Sequence, residues 1–264
     1  MNICVESGHS KSLRLQLPFV AHAVARLREA QLALRTKPFQ ARGSRVKRCG
    51  NCRVAISHCL CALRPDVPTP VGMCLIMTAL ETLKPSNTGW LVADVVPNTW
   101  AFAWARTEPN PALLALLADP QWQPYLVFPG KFVAPERVVA ALAQDMPAQP
   151  AGDASARKPL FVLLDGTWPE ARKIFRKSPY LDGLPVLSLQ PEHLSTYRLR
   201  RAGHDAHFCT AEVAAMCLGL AGEPRAAEVL AAYLAVFTEH YLSAKQSVPV
   251  DWHDAVHQRL EASR

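Results

Sequence analysis

The sequence predicts an α/β fold, a largely parallel sheet clothed by helices, with a small N-terminal metal-binding appendage. Three observations predict it. Short continuous apolar runs of strand length are separated by helix-length stretches, the pattern of strands buried on both faces. Four cysteines lie together as Cys49-Gly50-Asn51-Cys52 and Cys59-Leu60-Cys61, a spacing that suits a metal. Asp165 directly follows the strongest apolar run, at the kind of strand end where open α/β sheets gather ligands.

Residues 1–66 are read as the appendage and 67–264 as the main domain. In the appendage, Phe19–Leu34 has helical periodicity, with Pro18 at its start. Arg35–Arg53 then runs through many basic residues without an acidic one, and Arg64-Pro65-Asp66-Val67-Pro68-Thr69-Pro70 reads as a stiff linker. Strands are expected at Gly72–Met77, Leu91–Val96, Tyr125–Phe128, Leu160–Leu164 and Val186–Leu189. Helices are expected over Asn110–Ala118, Pro135–Gln144, Thr167–Lys177 and, by Ala, Leu and Glu content, Thr210–Val236. Pro147–Pro159, rich in Ala, Pro and Gly, reads as a mobile connection.

With 264 residues, 50% of them hydrophobic and 19% charged, the chain has enough apolar surface for a core without disulfides. Cys4, Cys74, Cys209 and Cys217 are scattered, three of them in apolar surroundings that suit free buried thiols. The excess of 29 Lys+Arg over 22 Asp+Glu permits an anionic partner. Its concentration in the acid-free run makes Arg42, Arg45, Lys47 and Arg48 candidates for phosphate contact, beside the plainer reading of a solvated basic face. There is no signal-peptide pattern and no apolar run near the ~20 residues of a membrane-spanning helix, so the cytoplasm is the expected compartment.

The thiolates of Cys49, Cys52, Cys59 and Cys61 are expected to close a tetrahedral structural Zn²⁺ site. The single residue between Cys59 and Cys61 is tighter than the usual pair; an iron–sulfur cluster is the minority alternative, and His58 reads as a polar surface neighbour first and a substitute ligand second. In Asp165-Gly166-Thr167-Trp168, Gly166 allows a sharp turn into a helix. An N-cap at Asp165 or Thr167, with Trp168 as a core aromatic, is the structural alternative. Arg172 and Lys173 on the following helix face either phosphate or solvent. Two further polar islands interrupt the apolar pattern: Glu81 with Lys84, Ser86, Asn87, Thr88 and Gly89, and Ser195-Thr196-Tyr197-Arg198-Leu199-Arg200. Tyr197 offers a ring for stacking and Arg198 a fork for phosphate or carboxylate.

These residues together resemble the DTW-domain family of tRNA-uridine aminocarboxypropyltransferases. The resemblance rests on PFQARGSRVKRCGNC with CLC, ETLKPSNTG, LVFPG, LLDGTWPEARK and STYRLR, in family order from about Lys37 to Glu212. It implies a SPOUT-like domain with a C-terminal knot; the knot rests on the resemblance alone. It also implies transfer of the 3-amino-3-carboxypropyl group of S-adenosyl-L-methionine to N3 of a tRNA uridine. Asp165 is then the candidate catalytic residue, a proton acceptor. Glu81, Asn87, Thr88, Gly89, Phe128, Pro129, Gly130, Thr167, Trp168, Ser195, Tyr197 and Arg198 are the expected cofactor-binding residues, and Arg42, Arg45, Lys47, Arg48, Arg172 and Lys173 the expected RNA-binding ones. No membrane partner is implied, and a monomer accommodates the whole reading. One departure stands out: Thr78-Ala79-Leu80-Glu81 replaces the family's His-Pro before the glutamate. The alternatives are an S-adenosylmethionine-dependent RNA methyltransferase, a non-catalytic zinc-stabilised RNA-binding protein and, further off, a hydrolase using Glu81 and Asp165.

Overall fold

The computed structural model of the chain describes residues 20–40, 45–139, 141–142, 157–189, 195, 197–199 and 208–264. Among them are six strands: β1 (Gly72–Met77), β2 (Thr99–Ala103), β3 (Trp122–Val127), β4 (Val138–Val139), β5 (Lys158–Asp165) and β6 (Val186–Leu187). They form one sheet in the order β2-β1-β5-β3-β6-β4, with every pairing parallel. All six residues of β1 are buried, as an unbroken apolar run requires of a central strand. Its alternate side chains feed two cores. Met73, Leu75 and Met77 join one with Phe161 and Leu163; Cys74 and Ile76 join the other with Leu160 and Val162.

Helices cover both faces. α1 (Ala23–Ala33), α2 (Gly89–Val95), α5 (Thr210–Leu220), α6 (Pro224–Gln246) and α7 (Ala255–Ser263) all contribute buried side chains to the first core. α3 (Pro111–Ala118) and α4 (Trp168–Arg176) cover the second. The segment before residue 67 shares the first core, where Val24, Cys49, Cys52, Val54 and Leu60 are packed. No described helix is long and apolar enough to cross a membrane.

Several expected elements change. Leu91–Val96 lies largely in α2 and not in a strand: the Asn87 side-chain oxygen receives the Trp90 N–H at 3.0 Å and starts a helix buried on every side. An all-round apolar helix has no stripe to distinguish it from a buried strand. Pro135–Gln144 is not an α-helix where described: a 3-10 turn, Pro135–Arg137, leads into β4, while residues 140 and 143–144 lie outside the described residues. Thr210–Val236 breaks at Gly222, whose φ of 76° ends one helix before Pro224 opens the next. Of the connection expected at Pro147–Pro159, residues 147–156 lie outside the described residues, and Lys158 and Pro159 already belong to β5.

Candidate active site and metal centre

A parallel sheet sends all its strand ends the same way, so the chain leaves β1, β5, β3 and β6 at one edge. Thr78, Asp165, Phe128 and Ser188 stand there, with the register pairing Met77 to Asp165. Asp165 is 2% exposed. Its Oδ2 accepts from the Asn87 side-chain amide at 2.7 Å, and its Oδ1 from the Thr210 hydroxyl at 2.7 Å. It is therefore not the cap of α4. That task falls to Thr167, whose N–H donates to Glu170 Oε2 at 2.7 Å in a capping box.

Asn87 is the junction of the site. Its amide also donates to Glu81 Oε1 at 3.1 Å, and Lys84 Nζ holds Glu81 Oε2 at 2.7 Å. Glu81, Asn87 and Thr88 are all buried. Gly89 completes the fit, because a Cβ there would lie 2.5 Å from Asp165 Oδ2. Thr88 Oγ1 receives the Ala211 N–H at 3.4 Å, so the loop after β1 is docked against the start of α5. Ser195 joins the same corner, donating to Glu212 Oε2 at 2.8 Å. Tyr197 reaches across to the Ser86 carbonyl.

The second group lies along β3 and α4. Trp168 stacks on Phe128 with ring centroids 5.5 Å apart, and Phe128 on Phe175 at 4.2 Å. The Gly130 N–H donates to Ser188 Oγ at 2.9 Å, which fixes the Phe128-Pro129-Gly130 turn to the end of β6. Thr78, the departure from the family pattern, donates its hydroxyl to Glu170 Oε1 at 3.3 Å. Burial pushes the Glu170 carboxyl up, but the Thr167 hydroxyl and N–H and the nearby Lys84 together bring it below its ordinary value.

The four clustered thiols converge, with all ligand atoms within 4.8 Å of one another. Cys49 and Cys61 sulfurs are 3.5 Å apart, Cys52 and Cys59 sulfurs 3.8 Å. A tetrahedral zinc shell with ~2.3 Å bonds has sulfur–sulfur edges of about 3.8 Å, so the donor set fits that ion in number, chemistry and size. His58 is not among the converging atoms; its Nε2 meets the Val248 carbonyl at 2.8 Å.

The expected RNA-binding cations divide. Arg45, Lys47, Arg172 and Lys173 are exposed, whereas Arg48 is half-buried with its guanidinium 5.0 Å from the Tyr241 ring. Arg198 is mostly exposed, 3.6 Å from Glu239. Arg42, Thr196 and Arg200 lie outside the described residues. Three residues that touch the site were not singled out from the sequence: Thr210, Glu212 and Arg53, whose guanidinium donates to the Lys84 and Asn87 carbonyls. A Thr-x-Glu opening a helix was the available signal for the first two; Arg53 was hidden in the basic run.

Residues 46–242 match the model of the DTW domain. The chain belongs to the DTW-domain family. The matched span holds the cysteine cluster, the Asn87 junction and Asp165 together. Among curated proteins, tRNA-uridine aminocarboxypropyltransferase 2 of Drosophila melanogaster is 26% identical over 184 residues, covering 67% of each chain. No solved structure matches.

Proposed function

We propose that this DTW-domain protein transfers the 3-amino-3-carboxypropyl group of S-adenosyl-L-methionine to N3 of a uridine in tRNA, forming acp3U and releasing methylthioadenosine. The observation that carries the reading is Asp165, fixed at the carboxyl edge of the sheet by Asn87 and Thr210 inside the DTW match. The relative named as a tRNA-uridine aminocarboxypropyltransferase supports the substrate class. The sheet order, with β6 between β3 and β4, supports a SPOUT-like path, and a C-terminal knot is included in the proposal. Zn²⁺ is the ion proposed for the four cysteines.

The half-buried Trp168 against Phe128, with the Glu170 carboxylate nearby on the same helix, makes an electron-rich surface suited to a sulfonium cation. Phe128, Pro129, Gly130, Thr167 and Trp168 would line the cofactor site. Glu81, Asn87, Thr88 and Gly89 would form its buried support, and Ser195, Tyr197 and Arg198 its entrance. S-adenosylmethionine, when bound, supplies the carbon that is attacked. The residues around the site would position the uridine nitrogen for in-line attack, so that proximity and orientation supply much of the advantage. With Asp165 2% exposed and its Oδ1 2.7 Å from the half-buried Thr210 hydroxyl, the N3 proton would pass to Thr210 Oγ1 as the hydroxyl's own proton passes to Asp165 Oδ1. Arg45, Lys47, Arg172 and Lys173, with Arg42 and Arg48, would steer the tRNA backbone.

Incubation with tRNA and labelled S-adenosylmethionine, followed by nucleoside mass analysis, tests the proposal. Acp3U with methylthioadenosine is the expected pair. Methylated uridine with S-adenosylhomocysteine would replace it by the methyltransferase reading, and tight tRNA binding without turnover by the non-catalytic one.

A further inference from the structure

Among the described residues of the basic run, Arg53 is the cation that is buried. Arg53, directly after the zinc ligand Cys52, is 3% exposed and has a φ of 65°, a left-handed conformation uncommon outside glycine. The cysteine turn imposes that conformation: the Arg53 N–H bonds the Cys49 carbonyl at 2.9 Å, and the Cys49 N–H the Val54 carbonyl at 2.8 Å. So placed, the guanidinium leaves the turn and crosses to the loop after β1. Nη1 donates to the Lys84 carbonyl at 3.1 Å and Nη2 to the Asn87 carbonyl at 2.9 Å. Its carbon lies 4.2 Å from the Trp90 ring centroid, at the start of α2.

Both carbonyls belong to residues that organise the candidate site. Lys84 holds Glu81, and Asn87 holds both Glu81 and Asp165. A planar fork reaches two acceptors while stacking on a ring; an ammonium lacks that fixed two-pronged geometry. We propose that Arg53 is a positioning residue for the transfer site, a strut through which the four-cysteine metal centre sets the Lys84–Asn87 loop and, through Asn87, the Asp165 carboxylate. The metal centre thereby acts on the chemistry from a distance, in addition to folding its own segment. This inference rests on the transferase reading of the Asp165 site, but the strut itself is testable without turnover.

Arg53→Lys keeps the charge and surrenders the fork. The folded, zinc-loaded variant is expected to bind tRNA within twofold of wild type while its single-turnover transfer at saturating S-adenosylmethionine falls about tenfold or more. Wild-type transfer in that variant overturns the proposal. Hydrogen exchange of the wild-type protein before and after metal removal supplies the arm that needs neither the variant nor the reaction. Amides of Lys84 and Asn87, both bonded within the loop, are expected to lose protection together with Cys49 and Arg53 while β1 and β5 keep theirs. Unchanged protection at Lys84 and Asn87, or equal loss throughout the sheet, overturns the strut. If wild type forms no acp3U yet the exchange coupling is present, the reaction assignment fails and the strut stands.

Discussion

Tyr197 and Ser86 are 111 residues apart in sequence and are joined by one hydrogen bond, from phenol to backbone carbonyl, at 2.6 Å. The bond fastens a segment that follows β6 to the loop that follows β1. Tyr197→Phe keeps the ring and removes the donor. The expected outcome is a folded protein within about 1 kcal/mol of wild type, whose S-adenosylmethionine affinity is roughly tenfold weaker because the Tyr197 segment is no longer fastened to the Ser86 loop. Isothermal titration decides it, and an unaltered dissociation constant removes Tyr197 from the entrance.

Thr210 and Asp165 give a paired test of the proton path. In Asp165→Asn, the side-chain oxygen can still accept from Asn87 while its new NH₂ donates to a turned Thr210 hydroxyl, so folding survives. Transfer is expected to drop ~10²–10⁴-fold, the usual size of a lost general base. Thr210→Val should follow it, and Thr210→Ser should retain most of the rate. Single-turnover measurements on saturated enzyme separate the cases; a fully active Thr210→Val excludes the relay.

Gly89→Ala places a methyl group 2.5 Å from Asp165 Oδ2 and 3.2 Å from Leu75 Cδ1. Neither neighbour has room to retreat, since both are buried. The substitution is expected to destabilise the fold by ~1–3 kcal/mol, the range for overpacking. Urea denaturation measures this directly.

The sheet was legible where sequence and burial tell one story. Gly72–Met77 and Leu160–Leu164 are apolar throughout because both faces of the sheet are covered. That same uniformity misled at Leu91–Val96, where the bond from the Trp90 N–H to the Asn87 side chain, and not the apolar pattern, marks the start of a helix. β2 went unread because it is an edge strand, half-exposed and opened by Thr99-Trp100 instead of a branched aliphatic run. In the site, the placing of Asp165 at a strand end followed from local pattern alone. Its partners did not: Asn87 is 78 residues away and Thr210 is 45. Arg53 shows the limit most plainly, since a charge in a basic run carries no mark of being buried.

Acid should loosen this protein through His240. Burial lowers its pKa from 6.5 to about 4; its Nδ1 is 2.8 Å from the His58 carbonyl and its Nε2 2.9 Å from His257 Nε2, with Asp254 behind that ring. Between those pH values the unfolded chain takes up a proton that the folded chain refuses, so stability falls as pH drops from 6.5 towards 4. One such group accounts for about 3 kcal/mol at most. His22, lowered to about 3 by burial and Arg64, acts in the same direction, but Asp94, raised to about 7 by burial, opposes it in that interval. His240→Gln is therefore expected to flatten the pH dependence of the unfolding free energy over pH 4–6.5. A slope equal to wild type assigns the acid sensitivity elsewhere.

The exposed and engaged cations should separate in salt titrations. Neutralising Arg45 and Lys47 is expected to reduce the salt slope of tRNA binding by up to ~2 with little loss of stability. Arg48→Ala should lower stability as well, because its guanidinium packs on Tyr241. An unchanged slope in the Arg45 and Lys47 variant shows a merely solvated face.

The seat of β5 between β1 and β3 governs how each new molecule is made. A ribosome delivers β1 and β2 in quick succession, but the strand that covers the other edge of β1 begins only at Lys158. At ~5–20 residues per second, the wholly apolar Gly72–Met77 waits several seconds with one row of backbone groups bare. Nascent chains that stall in this interval are the adhesive ones. A chain halted before Lys158 presents the unpaired edge of an apolar strand, the kind of surface that invites pairing with other chains.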